Sequence, residues 1–190
     1  MEKSGEMGME VQIADGLASA FGGLGLNKAF FRNWFAHMNL PDDEMRDIAN
    51  PWNEMQLHVS YKCAEALSVL GLGVGLAVSR KPNRLRKAGR AAFLGALVGA
   101  GPVGVLMWSG KARSLNDEDI YDRAYRVRYN RNQIRIDNAY KASAQLGLVG
   151  GLLMTRSLSG TLADIGLVSV LGVLGSISYI AYAKPDKQSW

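Results

Sequence analysis

Residues 66–110 read ALSVLGLGVGLAVSRKPNRLRKAGRAAFLGALVGAGPVGVLMWSG, and this stretch decides the class of fold. Residues 66–79 carry no charge and are rich in glycine. Residues 80–90 then hold six basic side chains (Arg80, Lys81, Arg84, Arg86, Lys87 and Arg90) and no acid, and 91–110 give twenty uncharged residues in a row. A helix rises about 1.5 Å per residue, so about 20 apolar residues cross a hydrocarbon core of roughly 30 Å. The second run is long enough unaided. The first reaches that length if its helix starts near Leu57 or Tyr61, which takes Glu65 into or near the membrane.

The small residues recur at helical spacing. Gly71, Gly75 and Ser79 repeat every four residues, as do Ala91, Gly95 and Gly99, with Ala92, Ala96, Ala100 and Gly104 alongside. Water-driven burial does not hold helices together in lipid, so close backbone approach over small residues takes its place. Pro102 is expected to kink the second arm because it removes an internal hydrogen bond. The pattern then returns. Residues 66–80 laid on 142–156 match at Ala66/Ala142, Leu70/Leu146, Gly71/Gly147, Leu72/Leu148, Gly75/Gly151, Leu76/Leu152 and Arg80/Arg156. That register indicates an internal repeat. Ser143, Gly147, Gly151 and Thr155 form one line on the third run, and 165–183 make a fourth with Ser169, Gly172 and Ser176 as its small face. The expected fold is an all-α membrane protein. It has four transmembrane helices in two glycine-rich hairpins, plus an N-terminal amphipathic arm. The divisions are 1–56 (arm), 57–110 (first hairpin), 111–141 (polar arginine-rich connector) and 142–190 (second hairpin and tail).

Net charge is +5 over 190 residues, but it is unevenly spread. Residues 1–61 carry nine acids and four bases, against six bases alone in 80–90. Basic clusters beside apolar runs set topology and meet lipid phosphates, so nucleic acid is not an expected partner. Four spans place both termini and 111–141 on one side, with 80–90 on the other. The positive-inside rule puts 80–90 in the cytoplasm or mitochondrial matrix, although 111–141 are themselves net +3. Cys63 is the single cysteine, so there is no internal disulfide framework. Glu2, Glu6, Glu10 and Asp15 do not fit an Arg-rich transit peptide or a basic-then-apolar secretory signal.

Two segments outside the spans offer contact surfaces. Asn27 can cap a helix over 28–38, where Phe30, Phe31, Trp34, Phe35 and Met38 share one face. That face lies on the membrane surface, in a partner's groove or on the protein's own bundle. Asn53 is a candidate cap for the first span, and Asn116, followed by Asp117, Glu118 and Asp119, for the connector helix. Arg123, Arg126, Arg128, Arg131 and Arg135, interleaved with Tyr121, Tyr125 and Tyr129, form a solvated stem or a dock for acidic headgroups or an acidic partner. His37 and His58 lack metal-site spacing, and there is no Ser/His/Asp set or phosphate loop. No catalytic, cofactor-binding or metal site is expected.

Arg135, Asp137, Gly147, Gly151 and Arg156, within the two glycine-rich hairpins and the basic first loop, resemble the Tim17/Tim22/Tim23 superfamily of mitochondrial inner-membrane proteins. The likeness runs over roughly 60–183. It implies termini in the intermembrane space, the first loop in the matrix, and a role either in protein import or as a structural accessory subunit of respiratory complex I. In the import proteins an acid early in span one meets the passing polypeptide, and Glu65 stands at that place; its alternative is a residue that snorkels or pairs with Lys62. The long aromatic and acidic arm and the arginine-rich connector favour docking, and hence the accessory, non-catalytic role. The partners this implies are other membrane subunits and an anionic phospholipid, cardiolipin among them.

Overall fold

Asn50 and Pro51 start the longest helix, α4 (Pro51–Val78). The Asn50 side chain accepts from the Asn53 N–H at 3.0 Å, and proline at the first helical position gives up an N–H that would have had no helical partner. The cap is therefore Asn50, not Asn53, whose amide instead donates to the Leu24 carbonyl. The computed structural model describes residues 9–20, 22–34, 40–80, 82–155 and 157–183. Phe35, His37, Met38 and Arg156 lie outside these. Among the described residues there are helices and no strand. The others are α1 (Met9–Ala20), α2 (Lys28–Trp34), α3 (Asp42–Arg46), α5 (Arg84–Val98), α6 (Gly104–Ala112), α7 (Asp117–Tyr129), α8 (Arg131–Met154) and α9 (Leu158–Ala183).

The chain divides into two compact units. One takes the described residues of Met1–Leu57 and Ala112–Ile134; the other takes those of His58–Lys111 and Arg135–Trp190. In the first unit, Ala14, Ala18, Leu26, Phe30 and Phe31 form the core, with Leu17, Trp34 and Leu57 packed on it. Phe30 stands edge-on to Phe31 and stacks on Trp34. Arg32 donates to both Asp15 oxygens at 2.8 and 2.7 Å. Those bonds hold the Asp15 carboxyl below its usual range and raise Arg32. Helix α7 opens with a capping box between Asn116 and Asp119. Its tyrosines face α3: Tyr121 donates to the Arg46 carbonyl at 2.7 Å, Arg46 lies over the Tyr125 ring, and Tyr129 donates to Asp42.

In the second unit, Trp108 and Tyr140 are buried, but most interior positions are small and many large aliphatic side chains lie outside. Ser68, Ala88, Ala92, Ala163, Val170 and Ser169 are buried, whereas Leu70, Val74, Val78, Leu94, Leu106, Leu146, Leu153 and Leu171 are exposed. That distribution suits a hydrocarbon surround, where close backbones and not apolar burial hold helices together. Three helical stretches are long and apolar enough to cross a membrane: Pro51–Val78, Arg84–Ala112 and Leu158–Tyr182. The third of the four expected spans, α8, has the length but carries Arg131, Arg135, Asp137 and Lys141 in its first half. The basic block, expected as a loop, is mostly helical, because α5 begins at Arg84. Pro102 sits in a π turn, Gly99–Val103. Widening the turn accommodates the missing N–H and the proline ring.

The glycines mark where these helices meet. A side chain on Gly71 would strike the Ala91 carbonyl, one on Gly95 the Leu67 carbonyl, and one on Gly99 the Cys63 carbonyl; on Gly75 a Cβ would lie 2.5 Å from the Ala88 Cα. These pairs run antiparallel along α4 and α5. On α8 a Cβ at Gly147 would lie 2.7 Å from the Asp164 carbonyl oxygen, and one at Gly151 2.7 Å from the Thr161 Cα. Glycines 76 residues apart thus meet partners 73 apart: Ala91 and Asp164, Ala88 and Thr161. The same seam is built twice, the second time with a turn three residues shorter. Gly89 and Gly166 add a contact that the spacing did not single out, since each would strike the backbone of the other's helix.

Candidate functional site

The backbone spacing of α4 puts Lys62 and Glu65 one turn apart, and α8 brings Asp137 to the same ammonium. Lys62 Nζ is paired with both Glu65 Oε2 and Asp137 Oδ1, and the three side chains are 26 %, 7 % and 1 % exposed. Tyr61 donates its hydroxyl to the Asp137 carbonyl oxygen at 2.9 Å and stands edge-on to Tyr140. Ser68 donates to the Glu65 carbonyl at 2.7 Å. Lys141, four residues past Asp137 on α8, feels both carboxylates. Two ammonium and two carboxylate groups then balance to zero, which permits their burial.

Hydrogen bonding within the cluster is incomplete. Glu65 Oε1, His58 Nδ1 and both amide atoms of Asn138 are buried without a hydrogen-bond partner. His58 lies in the electrostatic reach of Lys62 and Asp137. Unmatched buried polar atoms are costly. Buried charge and unmatched polar atoms thus come together here in the second unit. No group of His, Cys, Asp and Glu among the described residues has the arrangement of a metal site.

The expected contact residues fall elsewhere. Phe30 and Phe31 are buried in the core of the first unit rather than offered to lipid or a partner, and Trp34 packs against them. With Leu17, Ala14 and Ala18 available on α1, the aromatic stripe finds its apolar partner within the chain. Arg128 is likewise internal, 3 % exposed. Its guanidinium donates to both Glu54 oxygens, to the Met45 and Glu44 carbonyls at 3.1 and 3.2 Å, and to Asn27 Oδ1 at 3.3 Å. Asn33 closes the set by donating to the Arg128 carbonyl at 3.1 Å. Arg131 donates to Asn33 Oδ1 at 3.3 Å, and Arg126 pairs with Asp122 in an exposed bridge. Arg135 borders a groove on α9.

Sequence reasoning paired Glu65 with Lys62 as one alternative and missed Asp137 and Lys141 as its companions. A signal was present: the 76-residue offset that aligns the glycines also aligns Tyr61 with Asp137 and Glu65 with Lys141. Extending the repeat one residue upstream would have found opposite charges, Glu65 and Lys141, at equivalent positions. For Arg128 the signal was weaker: it continues the buried line Ile120, Ala124 at four-residue steps.

Apolar spans enclosing a charge cluster define a helical, multi-pass membrane protein. More particularly, the chain belongs to the DUF1757 family, described as proteins of unknown function, whose family model matches residues 30–175. The matched region takes in the four charges and both glycine seams. No curated protein matches the chain.

Proposed function

We propose that the chain crosses its membrane four times, as two helical hairpins, and serves without catalysis as a structural accessory subunit of a mitochondrial respiratory-chain complex, complex I first among them. One observation carries the structural role: Glu65 is turned inward and held by Lys62, 6 % exposed, where a translocase would present its acid to a passing chain. Support for α8 as a span comes from its repeat-related seam and from Leu146, Val149, Leu152 and Leu153, which face outward. The first-loop arginines and lysines favour a matrix location for 80–90 and termini in the intermembrane space. The mitochondrial assignment rests on the sequence resemblance. The outward apolar faces supply the surface for neighbouring subunits and for lipid.

An inner-membrane import subunit is the second reading. What favours it is that Glu65 Oε1 is buried and makes no hydrogen bond. Native-gel electrophoresis of mild-detergent extracts separates the two. The accessory subunit co-migrates with a respiratory complex, whereas co-migration with the import machinery overturns the first reading.

A further inference from the structure

Beside the α8–α9 seam lies a groove of about 360 Å³ on the outer side of α9. Leu171, Gly175 and Tyr179 line it at four-residue steps, so at about 1.5 Å per residue it follows the helix for about 12 Å. Ser176 and Ile180 complete the wall. Its depth has a specific origin. Gly172 is pressed onto α8 at Ser143 and Ala139, but Gly175 has nothing within 4 Å of where a Cβ would stand. The floor is therefore open where this glycine lacks a side chain. Leu171 and Tyr179 are 58 % and 61 % exposed, so the groove opens outward.

One end is charged. Ser143 of α8 stands opposite Gly172 of α9, and the helices run antiparallel, so Arg135, two turns earlier on α8, falls at the Tyr179–Ile180 end and borders the groove there. Aromatic residues at the ends of apolar helices sit at headgroup level, which is where Tyr179 and Tyr182 are found on α9. An apolar trough with a guanidinium at its headgroup end matches an amphipathic ligand whose polar end is anionic. Arginine presents a planar fork of donors suited to phosphate oxygens.

We infer that this groove is a binding site for an anionic phospholipid, with one acyl chain along Leu171, Gly175 and Tyr179 and the phosphate on Arg135. The site requires only that α9 lies in a bilayer; it does not depend on which complex the protein joins.

The test uses the full chain, purified in mild detergent and offered phosphatidylglycerol and phosphatidylcholine of identical chains, with bound lipid read by native mass spectrometry. The wild type retains phosphatidylglycerol over phosphatidylcholine by about tenfold or more, the worth of one charge-assisted hydrogen bond. Gly175→Leu, whose Cβ would meet no neighbouring atom, fills the floor and removes the bound lipid. Arg135→Gln reduces phosphatidylglycerol to the phosphatidylcholine level. Gly150→Leu, on α8 and equally unobstructed, retains the wild-type amount. Undiminished phosphatidylglycerol on Gly175→Leu overturns the site, as does loss of a protein partner from that variant with lipid unchanged. Should Gly175→Leu fail to fold, the headgroup preference of Arg135→Gln decides. A wild-type chain released from membranes by alkaline carbonate would instead refute the membrane location itself.

Discussion

Replacing Lys62 by methionine keeps the length of the side chain and removes the ammonium that pairs with both buried carboxylates. Breaking a buried pair by deleting one partner costs about 3–5 kcal/mol, chiefly the penalty of a charge left without compensation. Here one deletion leaves two carboxylates, 7 % and 1 % exposed, beside the single charge of Lys141. The loss should fall toward the upper end of that range, a factor on the order of a thousand in the folding equilibrium. Reversible unfolding in mixed micelles, titrated with dodecyl sulfate and followed by far-ultraviolet circular dichroism, measures it. The double variant Lys62→Met, Glu65→Gln removes one charge of each sign with little change of shape, leaves Asp137 balanced by Lys141, and should regain most of the loss. A Lys62→Met protein within about 0.5 kcal/mol of wild type, the range of an ordinary surface substitution, would show that the cluster is not a buried, mutually neutralised unit.

Other consequences are as specific. Gly147→Leu and Gly151→Leu drive side-chain atoms into the α9 backbone and should lower stability by at least about 1–3 kcal/mol, whereas Val149→Leu, which points outward, should not; equal stability of all three would remove the seam. In the first unit, the folded Asp15 carboxyl sits below its unfolded value of 3.8, so its contribution is present above that pH and fades as pH falls through the folded value. Hydrogen exchange of α1 and α2 should quicken below pH 4 in the wild type but be insensitive there in Asp15→Asn, with a magnitude under about 1 kcal/mol because the pair is partly exposed. Under the import reading alone, Glu65→Gln slows uptake of a reporter precursor; unchanged uptake weighs for the accessory role.

Much of the membrane-facing half was legible from spacing. Four-residue steps of glycine encode a helix face directly, because the helix repeat is fixed and only small residues allow backbones to approach. Gly71, Gly75, Gly95, Gly99, Gly147 and Gly151 each stand against a neighbouring helix. Partner identity was not legible in the same way. Whether Phe30 and Phe31 meet lipid or α1 depends on what the rest of the chain brings to them, and a stripe is the same stripe in either case. Arg128 shows the converse: a basic run looks solvated until one member meets a carboxylate such as Glu54, 74 residues away. Asp137 and Lys141 were hidden because they made α8 look polar, when their charges are balanced by Lys62 and Glu65 from another helix. A break in the regular helix at Pro102 follows from the proline; that it takes the form of a π turn does not.

The proposal of two hairpins depends on whether α8 crosses the membrane. Three exposed positions decide it: Asn83 before α5, Ser114 between α6 and α7, and Ser157 between α8 and α9. Single cysteines placed there in a Cys63→Ser background, probed in sealed vesicles with a membrane-impermeant maleimide, report their sides. Four spans predict that positions 83 and 157 are labelled from the same side and 114 from the other. If 157 is labelled together with 114, α8 does not cross and the two-hairpin account is wrong.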